Sequence, residues 1–296
     1  MVGITLGDPG GIGAEITLKA LKKVKGDFIL IGNRKALEYY ASILNLEIPE
    51  VEIVDIPGKW SPGKISKGNG KIAGESIIKA VELWKEGKIK AVVTAPVNKK
   101  ALHIAGFNYP GQTEFLAELT RTEKFCMLMH GKVNVAFVTT HLPLRDVRIK
   151  KEKVIEKIEV ITEGLNKYFE IENPLIDVLS LNPHGGEEGD LGREEIEEIR
   201  PAVEEAREMG FRVRGPFPSD TYWCREDRGD CVLAMYHDQG MIPFKILSFG
   251  EGVNVTLGLP FLRTSPDHGT AFDIVGKGIA SERSMVHAIE LAQEAG

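Results

Sequence analysis

Short apolar runs alternate along the chain with longer stretches in which apolar residues recur at helical spacing. GITL, FILI, AVVT, VAFVTT, DVLSL and CVLAMY are the runs; Ile16, Ala20, Leu21 and Val24, and then KALEYYASIL, are examples of the spaced pattern. Alternation of this kind predicts β–α units, and so an α/β fold with a mostly parallel sheet carrying helices on its faces. The longest helical pattern covers residues 147–168, where Val154, Ile158, Ile161 and Leu165 make an apolar stripe suited to core or dimer packing. Pro201 is expected to break or restart the acidic segment REEIEEIRPAVEEAREMG, which should end at Gly210. IPGKWSPGKISKGNGK, rich in Gly, Pro and Lys, is expected to be a loop or short hairpin.

Length and composition narrow the picture. With 296 residues, 43% hydrophobic and 27% charged, the chain has ordinary globular make-up and enough length for two domains or one large α/β unit. A formal net charge of −6, with lysines interleaved among glutamates, supplies no basic face for nucleic acid and favours a small-molecule partner. Cys126, Cys224 and Cys231 form no C-x-x-C pair, and no apolar segment approaches a membrane span, so a cytoplasmic protein is expected.

Three histidines share one context. His141 follows VAFVTT, His184 follows DVLSLNP and His237 follows CVLAMY, so each sits just beyond a predicted strand, where open parallel sheets bind ligands. Singly, each is an ordinary loop histidine. Together they suit a catalytic metal site with an open position, one that binds a hydroxyl or carbonyl oxygen and stabilises negative charge on it. Imidazole ligands suit zinc first and cobalt next, whereas magnesium prefers carboxylates and water. Asp238 can orient the His237 ring, and the glycines after His184 allow close backbone approach to a ligand.

Anion-binding candidates lie elsewhere. GQTEFLAEL sets Gln112 and Thr113 at a helix start, where Thr113 is either an N-cap or, with the Gln112 amide and the free N–H groups, a phosphate ligand. Lys245, Asn254 and Arg263 stand beside Gly- and Pro-rich turns and suggest a phosphorylated or carboxylated substrate.

GDPGGIGAEI, TAPVNKKAL, YPGQTEFLAE, VTTHLPLRDV, LNPHGGEEGDLGREEI, GPFPSDT, MYHDQGMIPFK and GVNVTLGLPFLRTSPDHGTAFDIVGKG occur in this order over nearly the whole chain. In this the sequence resembles the 4-hydroxythreonine-4-phosphate dehydrogenase family of vitamin B6 biosynthesis. The resemblance implies a fold similar to isocitrate and isopropylmalate dehydrogenases, with residues 1–110 and 250–296 in one domain, 111–249 in the other, and the site in the cleft between them. It implies that His141, His184 and His237 bind one divalent metal, zinc foremost, with cobalt or magnesium as alternatives. Gln112, Thr113, Lys245, Asn254 and Arg263 match substrate-binding positions, and the site is completed by the second subunit of a homodimer.

The implied reaction is oxidation of 4-phosphohydroxy-L-threonine by NAD or NADP with loss of CO2, giving 3-amino-2-oxopropyl phosphate. Lys245 and Asp220 are candidates for taking the hydroxyl proton; for Asp220 an N-cap or turn role is the simpler alternative. SPDHGTAFDIVGKG resembles the adenosine-side loop of the isocitrate and isopropylmalate enzymes, which implies cofactor contacts at His268, Gly269, Thr270 and Asp273. Family members commonly read G-H-T-E where this chain reads GQTE, and a glutamine cannot carry charge or shuttle a proton. A sister enzyme for D-threonate or D-erythronate 4-phosphate is therefore the alternative; a phosphate acyltransferase or a non-catalytic binding protein is more remote. GDPGGIG lacks the G-x-G-x-x-G spacing; it resembles instead the GDGIG-type turn that opens the isocitrate and isopropylmalate dehydrogenases, which implies that residues 8–13 form a cleft-lining turn near the nicotinamide.

Overall fold

The computed structural model describes residues 1–295. The chain divides into two compact units, the first comprising Met1–Thr122 with Val253–Val255 and the residues from Leu259 on, the second Glu123–Gly252 with Thr256–Gly258.

In the first unit, β1 (Val2–Thr5), β2 (Phe28–Gly32), β3 (Glu52–Asp55) and β4 (Ala91–Thr94) alternate with α1 (Gly13–Leu21), α2 (Arg34–Ile43) and α3 (Lys67–Lys85). After β4 come α4 (Lys99–Ala105) and α5 (Gln112–Thr120). The second unit holds β5 (Cys126–His130), β6 (Val135–Phe137), α6 (Lys151–Phe169), β7 (Ile176–Leu179), α7 (Arg200–Glu208) and β8 (Val213–Phe217). It continues through α8 (Ser219–Tyr222), β9 (Cys231–Ala234) and α9 (His237–Ser248). The chain then runs through β10 (Val253–Leu257) and β11 (Leu262–Pro266) to α10 (Arg283–Glu294).

Pairing is mostly parallel, as the β–α alternation predicts. Strands of the first unit lie in the order β3-β2-β1-β4-β11, all parallel, with Thr5 opposite Thr94. Those of the second lie in the order β5-β6-β9-β7-β8, and only β5 with β6 is antiparallel. Every residue of β1, β2, β4, β7 and β9 is buried, which explains the unbroken apolar runs. Cys231 opens such a strand and is core, as is Cys126, while Cys224 is exposed.

Two local expectations are revised and one is borne out. The GNGK sequence is the first turn of α3, capped by Ser66 Oγ on the Asn69 N–H. Its glycines answer a steric need, since a Cβ at Gly70 would collide with the Ala101 carbonyl and one at Gly68 with that of Lys59. The long helix begins at Lys151, after the 3-10 turn Leu144–Asp146. Pro201 restarts a helix: a π turn over Glu195–Ile199 hands on to α7, where the missing proline N–H falls in the first turn. The sequence boundary after residue 110 also moves. The first unit extends to Thr122 because Phe115 of α5 stacks on Tyr109 and packs against Phe107.

Candidate active site

In the first unit, the segment TAPVN, which opens on the last residue of β4, receives Arg263, Gln112 and Asp8, and Arg263 carries the contact on to Asn254. Thr94 Oγ1 accepts from Arg263 Nε at 3.0 Å and from its Nη2 at 2.7 Å, and Arg263 Nη1 donates to Asn254 Oδ1 at 3.4 Å. The next residue, Ala95, accepts at its carbonyl from Gln112 Nε2 at 3.3 Å. One residue on, the Pro96 carbonyl accepts from the Asp8 N–H at 3.0 Å.

Arg263 is only 3% exposed. Burial lowers its pKa to about 10 against the opposing charge of Glu114, so at neutral pH it is still a cation. A dehydrated guanidinium flanked by a hydroxyl and a carboxamide suits a phosphate or carboxylate. Sequence reasoning passed over Thr94; its signal is a threonine ending a fully buried strand, where a hydroxyl has to find a partner.

The opening glycine turn adjoins the proposed cofactor segment. Ile12 N–H donates to the Thr270 carbonyl at 3.1 Å, and a Cβ at Gly11 would crowd Thr270 at 2.9 Å. Gly63 N–H reaches the Gly10 carbonyl at 2.8 Å. A side chain at Gly269 would meet open space, Asp273 is exposed, and the buried Nε2 of His268 has no hydrogen-bond partner. Asp8 is fully buried in that turn, where its Oδ1 accepts from the Gly10 N–H at 2.8 Å and its Oδ2 has no partner. Burial pushes its carboxyl up from 3.8 to about 6, against the lowering influence of the Gly10 N–H and of the nearby Asn98 and Asn69 donors.

In the second unit the histidines are arranged differently. His141 and His237 come together, ring centroids 5.9 Å apart, on a cavity of about 260 Å³ lined also by Thr140, Tyr236 and Asp238. Asp238 Oδ1 lies 2.7 Å from His237 Nδ1, as a carboxylate that orients a ligating imidazole would. His184 lines a separate cavity of about 400 Å³ with Glu187, Glu188, Arg200 and Arg207. Its backbone is left-handed at φ 54°, the first of five consecutive residues in that region. Buried Glu195 holds the preceding segment by accepting from the N–H groups of Leu181 and Asn182.

Among the described residues, no three His, Cys, Asp or Glu side chains stand together in a way that could hold a metal ion. Two imidazoles of one chain converge and the third does not, so the predicted triad is incomplete within a single chain. Lys245 lies on α9 in this unit, and Asp220 is an exposed residue in the first turn of α8.

The order of these blocks and the architecture find one match among family models: the description "Pyridoxal phosphate biosynthetic protein PdxA" fits residues 17–292. The chain belongs to this family. It is 44% identical to the 4-hydroxythreonine-4-phosphate dehydrogenase of Aquifex aeolicus, over 99% of this chain and 97% of that one. It is equally 44% identical to a putative D-threonate 4-phosphate dehydrogenase of Oceanobacillus iheyensis, again over 99% and 97%. The crystal structure of 4-hydroxythreonine-4-phosphate dehydrogenase from Klebsiella pneumoniae superposes with a TM-score of 0.87 at 39% identity, covering 100% of this chain and 99% of that one. As a PdxA-family member the chain has the mixed α/β architecture of these relatives. Among its described residues no helix is long and apolar enough to cross a membrane.

Proposed function

We propose that this chain is an NAD- or NADP-dependent dehydrogenase that oxidises 4-phosphohydroxy-L-threonine, with decarboxylation to 3-amino-2-oxopropyl phosphate, in pyridoxal phosphate biosynthesis. The observation that carries the reading is the buried Arg263 guanidinium on Thr94 and Asn254, with Gln112 secured to the next residue of the same segment. Such a group is costly to bury and becomes useful when an anion meets it. Arg263, Asn254 and Thr113 hold the substrate's anionic group, and Lys245 adds a further charge. The proton of the reacting hydroxyl passes to Lys245 or Asp220. His268, Gly269, Thr270 and Asp273 contact the cofactor, whose nicotinamide accepts the hydride.

His141, His184 and His237 are the residues that would hold a divalent ion, zinc before cobalt or magnesium by the preference of imidazole. When bound, such an ion supplies stabilisation of negative charge on the substrate oxygen. Because only two of the three imidazoles converge within one chain, a second copy completes the set. An exposed apolar row supports that second copy. Ile242, Ile246 and Phe249 follow His237 at helical spacing, and Ile246 and Phe249 are each 77% exposed. Leu142 and Leu144, exposed beside His141, extend the same surface character. A cytoplasmic setting accords with the free cysteines.

The equal identity to a D-threonate 4-phosphate dehydrogenase keeps that substrate as the second reading. Reduction of NAD or NADP, followed by absorbance with each substrate and with zinc, cobalt or magnesium, tests both. A metal-loaded dimer that reduces neither cofactor with either substrate refutes the proposal.

A further inference from the structure

We infer that Glu114, assisted by the Gln112 carbonyl oxygen, recognises an ammonium group that the substrate carries beside the anion held by Arg263. This rests on the function proposed above and deepens it, because it assigns the substrate's amine to a named acceptor. Two buried oxygens in the first turn of α5, Glu114 Oε2 and Gln112 Oε1, have no hydrogen-bond partner. Gln112 has turned its donor, Nε2, to the Ala95 carbonyl, so the atom it leaves unbonded can only accept. Gly111 keeps the adjoining space open, since a Cβ there would lie 3.0 Å from Glu114 Oε2.

An ordinary role for a glutamate at this position is to bond the N–H of the helix cap. Oε2 makes no such bond, although Gly111 occupies the cap and supplies no side chain of its own. A second ordinary role is to balance Arg263, and Glu114 does raise the affinity of that guanidinium for its proton. That role ends when an anionic substrate neutralises the arginine, and the half-buried carboxylate, whose Oε2 is shielded from solvent, then needs a new positive partner.

An ammonium meets this need better than a hydroxyl. It has three donors for two waiting acceptors and cancels the carboxylate's charge, whereas a hydroxyl has one donor and none. Arg263 with the anion and Glu114 with the ammonium then give two opposite-charge pairs side by side. A 2-amino acid phosphate is thereby favoured over its 2-hydroxy counterpart, although Gln112 departs from the residue common in the family.

The test uses the full-length, metal-loaded protein and its Glu114→Gln and Glu114→Asp variants. Steady-state constants are measured with 4-phosphohydroxy-L-threonine and with D-threonate 4-phosphate, and calorimetry measures binding of inorganic phosphate. Loss of one charge-assisted hydrogen bond should lower the amino-over-hydroxy preference in kcat/KM by about 10- to 100-fold in Glu114→Gln, mainly through KM. Glu114→Asp should recover part of the preference, and phosphate affinity should be unchanged or tighter in both variants.

A preference ratio that stays put while both substrates weaken together overturns the inference, because a helix-capping or arginine-holding role predicts that result. So does weaker phosphate binding in Glu114→Gln. Wild-type protein that uses neither substrate refutes the functional reading first, and the two failures are thereby told apart.

Discussion

The proposed anion site of the first unit is carried on the strands themselves, by Thr94 of β4, Asn254 of β10 and Arg263 of β11, whereas the histidines of the second unit stand past their strands, and only the first group comes fully together within one chain. Arg263 is buried and held by Thr94 and Asn254 before any ligand arrives. His141 and His237 face a cavity with Asp238 on one ring, while His184 lines a different one. The difference teaches what each site costs to assemble. A cation can be preorganised by neutral oxygens, because a hydroxyl and a carboxamide stabilise it without cancelling it. Three imidazoles gain little from one another until a metal holds them, so under the proposed function their last member can come from a second copy.

The strongest way to break this contrast is to remove the preorganised cation. Arg263→Ala should lower kcat/KM by about 10²- to 10³-fold and abolish inorganic phosphate binding measured by calorimetry, since it deletes a dehydrated, hydrogen-bonded charge. Arg263→Lys should recover only part of this, because an ammonium cannot keep two bonds on Thr94 while reaching Asn254. If Arg263→Ala still binds phosphate with wild-type affinity, the anion site lies elsewhere.

Next in size is the histidine group. His237→Ala and His184→Ala should each reduce bound metal, measured by elemental analysis of the dialysed protein, from one ion per chain to a small fraction. His184 is the more searching of the two, since it stands apart within a single chain. Full metal content in His184→Ala would confine the site to His141, His237 and their own cavity.

A third change should separate the two sites. Ile246→Glu combined with Phe249→Glu places charge on the most exposed apolar residues of α9 and its C-terminal cap and should turn a dimer into a monomer in sedimentation experiments. Metal should be lost with the dimer, while phosphate binding at Arg263 should persist within about threefold, because that site needs no second chain. A variant that loses both together would show that the first unit, too, depends on association.

Much of the architecture was legible because buried parallel strands leave unbroken apolar runs, as β4 and β9 do. The edge strand β3 escaped notice: EIVD is partly exposed and has no such run. The GNGK turn of α3 escaped too, because its glycines serve close approach to Ala101 and Lys59, and a contact of that kind leaves no local periodic trace. Near TAPVN, residue type and setting single out Gln112, Asn254 and Arg263, and in the structure Arg263 bonds Thr94 and Asn254 while Gln112 bonds Ala95. The partner Thr94 is not singled out in this way, since it looks like any strand residue until Arg263 is seen to cross to it. The separation of His184 was likewise hidden, because placement after a strand says nothing of the left-handed path its loop takes.

The smallest predicted effect concerns the opening turn, where Asp8 offers a contrast with Arg263: it is a buried acid whose second oxygen has no partner. Its carboxyl binds protons more tightly in the folded chain, with a pKa of about 6 against 3.8 for an ordinary aspartate. Below about pH 3 it is protonated both folded and unfolded and leaves stability unaffected. As pH rises from about 3 to 6 the unfolded chain releases the proton first, so stability falls, by up to about 3 kcal/mol, and then levels off. Asp8→Asn keeps an oxygen for the Gly10 N–H but removes the charge. The variant should therefore unfold at higher denaturant than wild type at pH 8, and the advantage should vanish near pH 3. A gain of the same size at both pH values would mean that Asp8 does not titrate between them, and a loss at pH 8 would mean that the carboxylate already has a cationic partner.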